Sequence, residues 1–134
     1  MASINIGFPN DWTNSLFSNE KKNRKQIKIV TWNCNGVFRK KYEYISELNA
    51  DIYIIQECEN PVESRHKKYR EWAENKIWIG DTKNKGLAIF VRQEIELEKL
   101  DWSNQFKDHF LKHCLLSKIN QDFDLLAVWT HLNN

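Results

Sequence analysis

Between residues 27 and 57 the chain reads IKIVTWNCNGVFRKKYEYISELNADIYIIQE, two apolar runs separated by an amphipathic one. In the first run Ile27, Ile29, Thr31 and Asn33 share one face of a strand, and Val30, Trp32 and Cys34 share the other. Both faces are largely apolar, the pattern of an interior strand. Gly36 permits a turn. Phe38, Tyr42, Ile45 and Leu48 then recur at helical spacing, with Arg39, Lys40, Glu43 and Glu47 on the wet side, which predicts a helix over 38–49. Asp51 opens a second apolar run that ends in Gln56 and Glu57. Strand, helix and strand within this length make a βαβ unit, so the two strands are expected to be parallel.

Downstream, Asn60 is placed to cap, Pro61 suits the first helical position and Glu63 completes a capping box, predicting a helix over 61–75. Residues 77–79 read as a short strand, 80–86 as a polar loop and 87–91 as another interior strand. Ile95 and Leu97 alternate as in a half-exposed strand ending near Leu100, and 101–109 reads as loop. Leu111, His113, Leu115, Ser117 and Ile119 line one face of a strand over 110–119. After a turn at Asn120, Gln121 and Asp122, residues 123–130 complete a hairpin. Residues 1–26 keep no steady period and read as a polar N-terminal extension, in which Phe8, Trp12, Leu16 and Phe17 could form a short helix or an apolar latch.

These elements predict an α/β (α+β) fold: a mixed, largely buried sheet with helices on one face. The other face, to which counting in twos assigns Ile29, Ile55, Ala127 and Trp129, needs a second layer. That layer is expected from the N-terminal extension, a second copy or a complementing chain; left bare, the face would aggregate.

Composition supports a folded core: 41% of the 134 residues are hydrophobic, and six Trp, seven Phe and four Tyr supply bulk. A net charge of +2 does not by itself argue for a nucleic-acid partner, although Lys21, Lys22, Arg24, Lys25 and Lys28 form a local basic cluster. Cys34, Cys58 and Cys114 are an odd number without CxxC spacing, which suggests neither a zinc site nor a disulfide framework. With no signal-like start and no run long enough to span a membrane, a reducing, cytoplasmic location is expected.

Three interior strands end in polar residues, Asn33, Glu57 and His131. Each has an ordinary account: a turn-forming Asn, a solvated Glu, a hydrogen-bonded His. Counting in twos, however, places Asn33 with Ile29, Glu57 with Ile55 and His131 with Ala127. If those faces coincide, the three groups gather at one edge of an apolar wall. A carboxylate with an amide oxygen is a hard-oxygen pair suited to Mg²⁺, and a neighbouring His can donate to a phosphoryl oxygen as charge grows in a transition state.

TWNCNG after an apolar strand, DIYIIQE about twenty residues on, then GLAIFVR and LLAVWTHLNN, resemble in order and spacing the N-terminal half of the endonuclease/exonuclease/phosphatase superfamily, over residues 27–134. That superfamily includes apurinic-site endonucleases, deoxyribonucleases, inositol phosphatases and sphingomyelinases. The resemblance implies half of a four-layer α/β/β/α sandwich and a phosphoesterase that uses Mg²⁺ or Mn²⁺. It assigns Asn33 and Glu57 to the metal site, His131 to the scissile phosphate, and Asn35 and Asn134 to the substrate side.

The family's DxN motif, which orients the attacking water, and its SDH motif, which supports the general base, are both missing. Lys107, Asp108 and His109 come before the THL strand, in the wrong order. The expectation is therefore a domain truncated before both motifs and inactive or weakly active alone. The substrate would be a phosphate ester, with DNA, RNA, inositol phosphates and phospholipid head groups all open. The competing expectations are a non-catalytic module that binds nucleic acid or phosphate, and a half-domain that needs a partner chain.

Overall fold

The computed structural model describes residues 1–7, 26–101 and 113–130. Its elements are β1 (Ala2–Gly7), β2 (Gln26–Asn33), a 3₁₀ turn (Phe38–Lys40), α1 (Tyr42–Ser46), β3 (Ile52–Cys58), α2 (Lys67–Trp72), β4 (Lys76–Thr82), β5 (Lys85–Val91), β6 (Leu97–Lys99), β7 (Cys114–Ile119) and β8 (Phe123–Val128). The fold is mixed α and β, with a five-stranded sheet ordered β1-β2-β3-β5-β4 and a three-stranded sheet ordered β6-β7-β8.

The expected βαβ unit is present, with β2 and β3 parallel and Thr31 opposite Ile54. Its helix is shorter than predicted. Asn35, Gly36 and Val37 all take positive φ, so the chain enters through a left-handed bend, and Asn49 at φ 51° ends the segment. Between them lie the 3₁₀ turn and the five residues of α1. The predicted stripe still packs inward: Phe38, Tyr42 and Ile45 are buried and Leu48 partly so.

The helix expected over 61–75 is reduced to α2. Asn60 Oδ1 accepts from the Val62 N–H at 3.1 Å and its Nδ2 donates to Glu63 at 3.2 Å, while the backbone N–H that a capping box would give to Glu63 goes to the Lys83 carbonyl at 2.8 Å. The side-chain contacts close an isolated turn, because His66 is extended (φ −83°, ψ 101°) and the helix starts only after it. The loop expected over 80–86 is a two-residue connection, Lys83 and Asn84, between β4 and β5. Gly86 is required there because a Cβ would collide with the Ile79 carbonyl and the Trp78 ring.

One face of the large sheet packs on the helical segments through Val30, Tyr53, Ile55, Ala88 and Phe90. Aromatic rings fill this layer: Phe38 stacks on Phe90 with centroids 5.6 Å apart and meets the Tyr69 ring edge-on at 5.7 Å. The other face carries Ile27, Ile29, Ile52, Ile54, Leu87 and Ile89, packed against Leu115, Ile119 and Ala127 of the small sheet. The assignment of Ile55 to the Ile29 face is thereby corrected. Strand register sets Ile55 opposite Trp32, and paired residues share a face, so Ile55 points to the helices.

The second layer also comes from a different source than expected. β6, β7 and β8 of this same chain cover the inner face, giving three layers. The polar N-terminal extension contributes β1, which pairs antiparallel with β2 and sets Ile6 against Ile27. The Phe8–Phe17 latch, and Lys21 to Lys25 of the basic cluster, lie outside the described residues. Lys28 is committed to packing, its ammonium donating to the Leu48 carbonyl at 2.7 Å. Among the described residues no helix is long and apolar enough to cross a membrane.

Candidate metal and phosphate site

Asn33 is the last residue of β2, and its side chain is held from both sides. Its Oδ1 accepts from the Asn35 N–H at 3.1 Å, and its Nδ2 donates to Glu57 Oε1 at 3.2 Å. The first bond closes an Asx turn, which pins the amide so that its NH₂ faces the carboxylate.

Counting in twos sends Glu57 to the Ile55 face, toward the helices. The structure places it on the other side, and the reason is a β-bulge. Gln56 pairs with Leu87 and Cys58 with Gly86, which leaves Glu57 as an extra residue at φ 63°. The backbone turns over at this position, so Cys58 returns to the helix-side core while Glu57 swings out to Asn33.

Gln56 faces the seam between the sheets. Its amide donates to Thr31 Oγ1 at 3.1 Å and to the Val128 carbonyl at 3.4 Å. The end of β8 is thereby tied beside the ends of β2 and β3. His131 and Asn134, which follow β8, lie outside the described residues. Asn35 lies in the loop after Asn33 with its side chain exposed, and its N–H supports Asn33.

Four supporting residues escape the sequence reading. Lys41 donates to the Cys34 carbonyl at 2.5 Å and the Gly36 carbonyl at 2.9 Å, securing the left-handed bend. Glu59 is buried and fully used: it accepts from the Phe38 and Arg39 N–H groups at 2.8 and 2.7 Å and from the Arg39 guanidinium at 3.3 Å. Gln56 bridges the sheets, and Lys85 reaches Glu57 Oε2 at 3.4 Å. A carboxylate between a buried strand and Asn60-Pro61 is the signal that could have marked Glu59. Lys85 had none, because its position depends on the tightness of the β4–β5 turn.

The neighbouring thiols are not nucleophiles at neutral pH. Burial pushes Cys34 up to about 11 and Cys58 well above the ordinary thiol value.

Among the described residues no group of three or more His, Cys, Asp or Glu gathers. Glu57 instead offers one oriented carboxylate, 20% exposed, in a position open to water. Mg²⁺ is commonly bound by one or two carboxylates with several waters retained. A cavity of about 300 Å³ opens past the end of β3, lined by Arg39, Glu59, Glu63, Arg65, His66 and Lys83. The Asn60 N–H, bonded to the Lys83 carbonyl at 2.8 Å, connects it to the end of β3. No family model matches the chain, and no curated protein matches it.

Proposed function

We propose that the chain carries the metal-binding part of a phosphoesterase site, of the endonuclease/exonuclease/phosphatase kind, acting on phosphodiesters or phosphomonoesters. The observation that supports this most directly is the Asn33–Glu57 pair, joined at 3.2 Å across the ends of two parallel strands, with Glu57 turned toward Asn33 by a bulge. Ligands of α/β sheets collect at such strand ends. A bound divalent ion supplies Lewis-acid polarisation of the phosphoryl group. Glu57 would hold the ion and Asn33 would orient Glu57. His131 would donate to the phosphoryl oxygens, and Asn35 and Asn134 would face the substrate.

Water is the nucleophile in this reading, and none of the assigned residues activates it. The 134-residue chain is therefore expected to be inactive or weakly active alone. DNA and RNA are among the candidate substrates. The three free thiols accord with a reducing, cytoplasmic location. The test is turnover of an activated phosphodiester in Mg²⁺ and in Mn²⁺. Little or no turnover is expected; brisk turnover by the purified chain, lost on Glu57→Ala, would overturn the claim of incompleteness.

The cavity past the end of β3 favours a second reading, a non-catalytic module that holds phosphate or nucleic acid. Arg39, Arg65, His66 and Lys83 line it together with the carboxylates of Glu59 and Glu63. Binding of an oligonucleotide that weakens steeply with salt and ignores Glu57→Ala would select this reading.

A further inference from the structure

We infer that Lys85 is a resident counter-cation of the Glu57 site, which a divalent metal ion must displace in order to bind. The inference rests on the reading of Glu57 as a metal ligand and adds a residue that tunes that site. Lys85 opens β5 directly after the Lys83–Asn84 turn, and its ammonium lies 3.4 Å from Glu57 Oε2. The other carboxylate oxygen, Oε1, is taken by Asn33 Nδ2. Both carboxylate oxygens of Glu57 thus have a partner in this chain, and an ion held by Glu57 would meet the Lys85 charge beside Oε2.

The placement is built by two elements. The aliphatic stem runs beside the loop after β2, its Cε 3.8 Å from where a Cβ on Gly36 would stand, an ordinary van der Waals distance. Lys41, the nearby alternative cation, is occupied by the Cys34 and Gly36 carbonyls.

The Lys85 side chain is 54% exposed, so its ammonium leaves Glu57 at little cost, since exposed ion pairs are weak. Its charge still opposes a dication arriving within a few ångströms. Without metal, Lys85 neutralises a carboxylate that would otherwise stand alone beside Asn33. An ion bound by Glu57 would displace it into solvent on its exposed stem.

The test is calorimetric titration of the full chain with Mn²⁺ alone, at low ionic strength, for the wild type and four variants. Lys85→Met keeps the stem and removes the charge; it is expected to bind Mn²⁺ roughly three- to tenfold more tightly, an advantage that shrinks as salt is added. Lys85→Arg keeps the charge and should match the wild type. Lys83→Met removes a nearby cation that does not pair with Glu57 and should change affinity less than about twofold. Glu57→Gln should abolish binding. Unchanged or weaker binding by Lys85→Met, or equal tightening by Lys83→Met, overturns the role of Lys85 while leaving Glu57 as the ligand. If Glu57→Gln binds as the wild type does, or nothing binds at all, the metal-site reading itself fails and this inference with it.

Discussion

The bulge that turns Glu57 toward Asn33 can be tested through stability, without any assay of activity. Glu57 sits at φ 63°, a left-handed conformation that costs a residue with a Cβ on the order of 1 kcal/mol. Glu57→Ala keeps that strain and loses the 3.2 Å bond from Asn33 and the 3.4 Å pair with Lys85. Both contacts are solvent-accessible, so together they are worth about 0.5–1.5 kcal/mol. Glu57→Gly loses the same contacts and relieves the strain, which is partly offset by the greater freedom of Gly in the unfolded chain. Glu57→Ala should therefore lie about 1 kcal/mol below the wild type, with Glu57→Gly closer to it.

The decisive quantity is the order of the two variants. At an ordinary strand position Gly is less stable than Ala by about 0.5–1 kcal/mol. Here the relieved strain outweighs that cost, and Gly should be the more stable by up to about 0.5 kcal/mol, a reversal of sign. Urea unfolding followed by Trp fluorescence would read it as a higher midpoint for Glu57→Gly at an unchanged slope. A midpoint for Glu57→Ala equal to or above that of Glu57→Gly would refute the positive φ. The explanation of how Glu57 leaves the helix side would fall with it. Both variants should lose Mn²⁺ binding, so stability and metal affinity part company at this residue.

Two further outcomes follow from burial. Leu115, 1% exposed between the two sheets, should cost about 2–5 kcal/mol on replacement by Ala; a loss under about 0.5 kcal/mol in the same urea experiment would mean that the small sheet does not close the large one. For Cys34 the folded thiol, at about 11, lies above its unfolded value of 9.0. Its contribution to stability is thus complete below about pH 9 and disappears as pH rises from 9 through 11. Unfolding free energy should fall more steeply over that interval in the wild type than in Cys34→Ala, and equal slopes would contradict the burial argument.

The parts of the fold legible in the sequence are those where hydrophobic pattern and topology agree. The two apolar runs flanking an amphipathic one specify β2 and β3 as parallel neighbours, and the turn at 120–122 gives the β7–β8 hairpin, with Ile119 opposite Phe123. The misses have separate causes. β1 carries only Ile4 and Ile6 as large apolar residues, and its pairing with β2 supplies what its own pattern lacks. Asn60 closes a turn onto the Val62 N–H but caps no helix, since α2 starts only after the extended His66. Glu is not a residue that asks for positive φ, so nothing in the chain announces the bulge at Glu57. Asn33 and Glu57 are brought together as anticipated, but by that irregularity and not by a shared strand face.

The bulge also explains why Gln56 and Glu57 act as a pair with divided tasks. In a regular strand these neighbours would point to opposite faces, one into the helix-side core and one into the seam between the sheets. Burying a carboxylate among Phe38, Tyr69 and Phe90 without a cationic partner would cost several kcal/mol. The extra residue lets Gln56 stay in the seam, where it ties Thr31 to the Val128 carbonyl, while Glu57 is delivered to Asn33 and solvent. Cys58 then resumes the core position that the strand register demands. Fold closure and site construction therefore depend on the same few backbone angles. Gln56→Ala should loosen the seam at the strand that leads toward His131, whereas Glu57 variants alter the charge at the site and leave the seam intact.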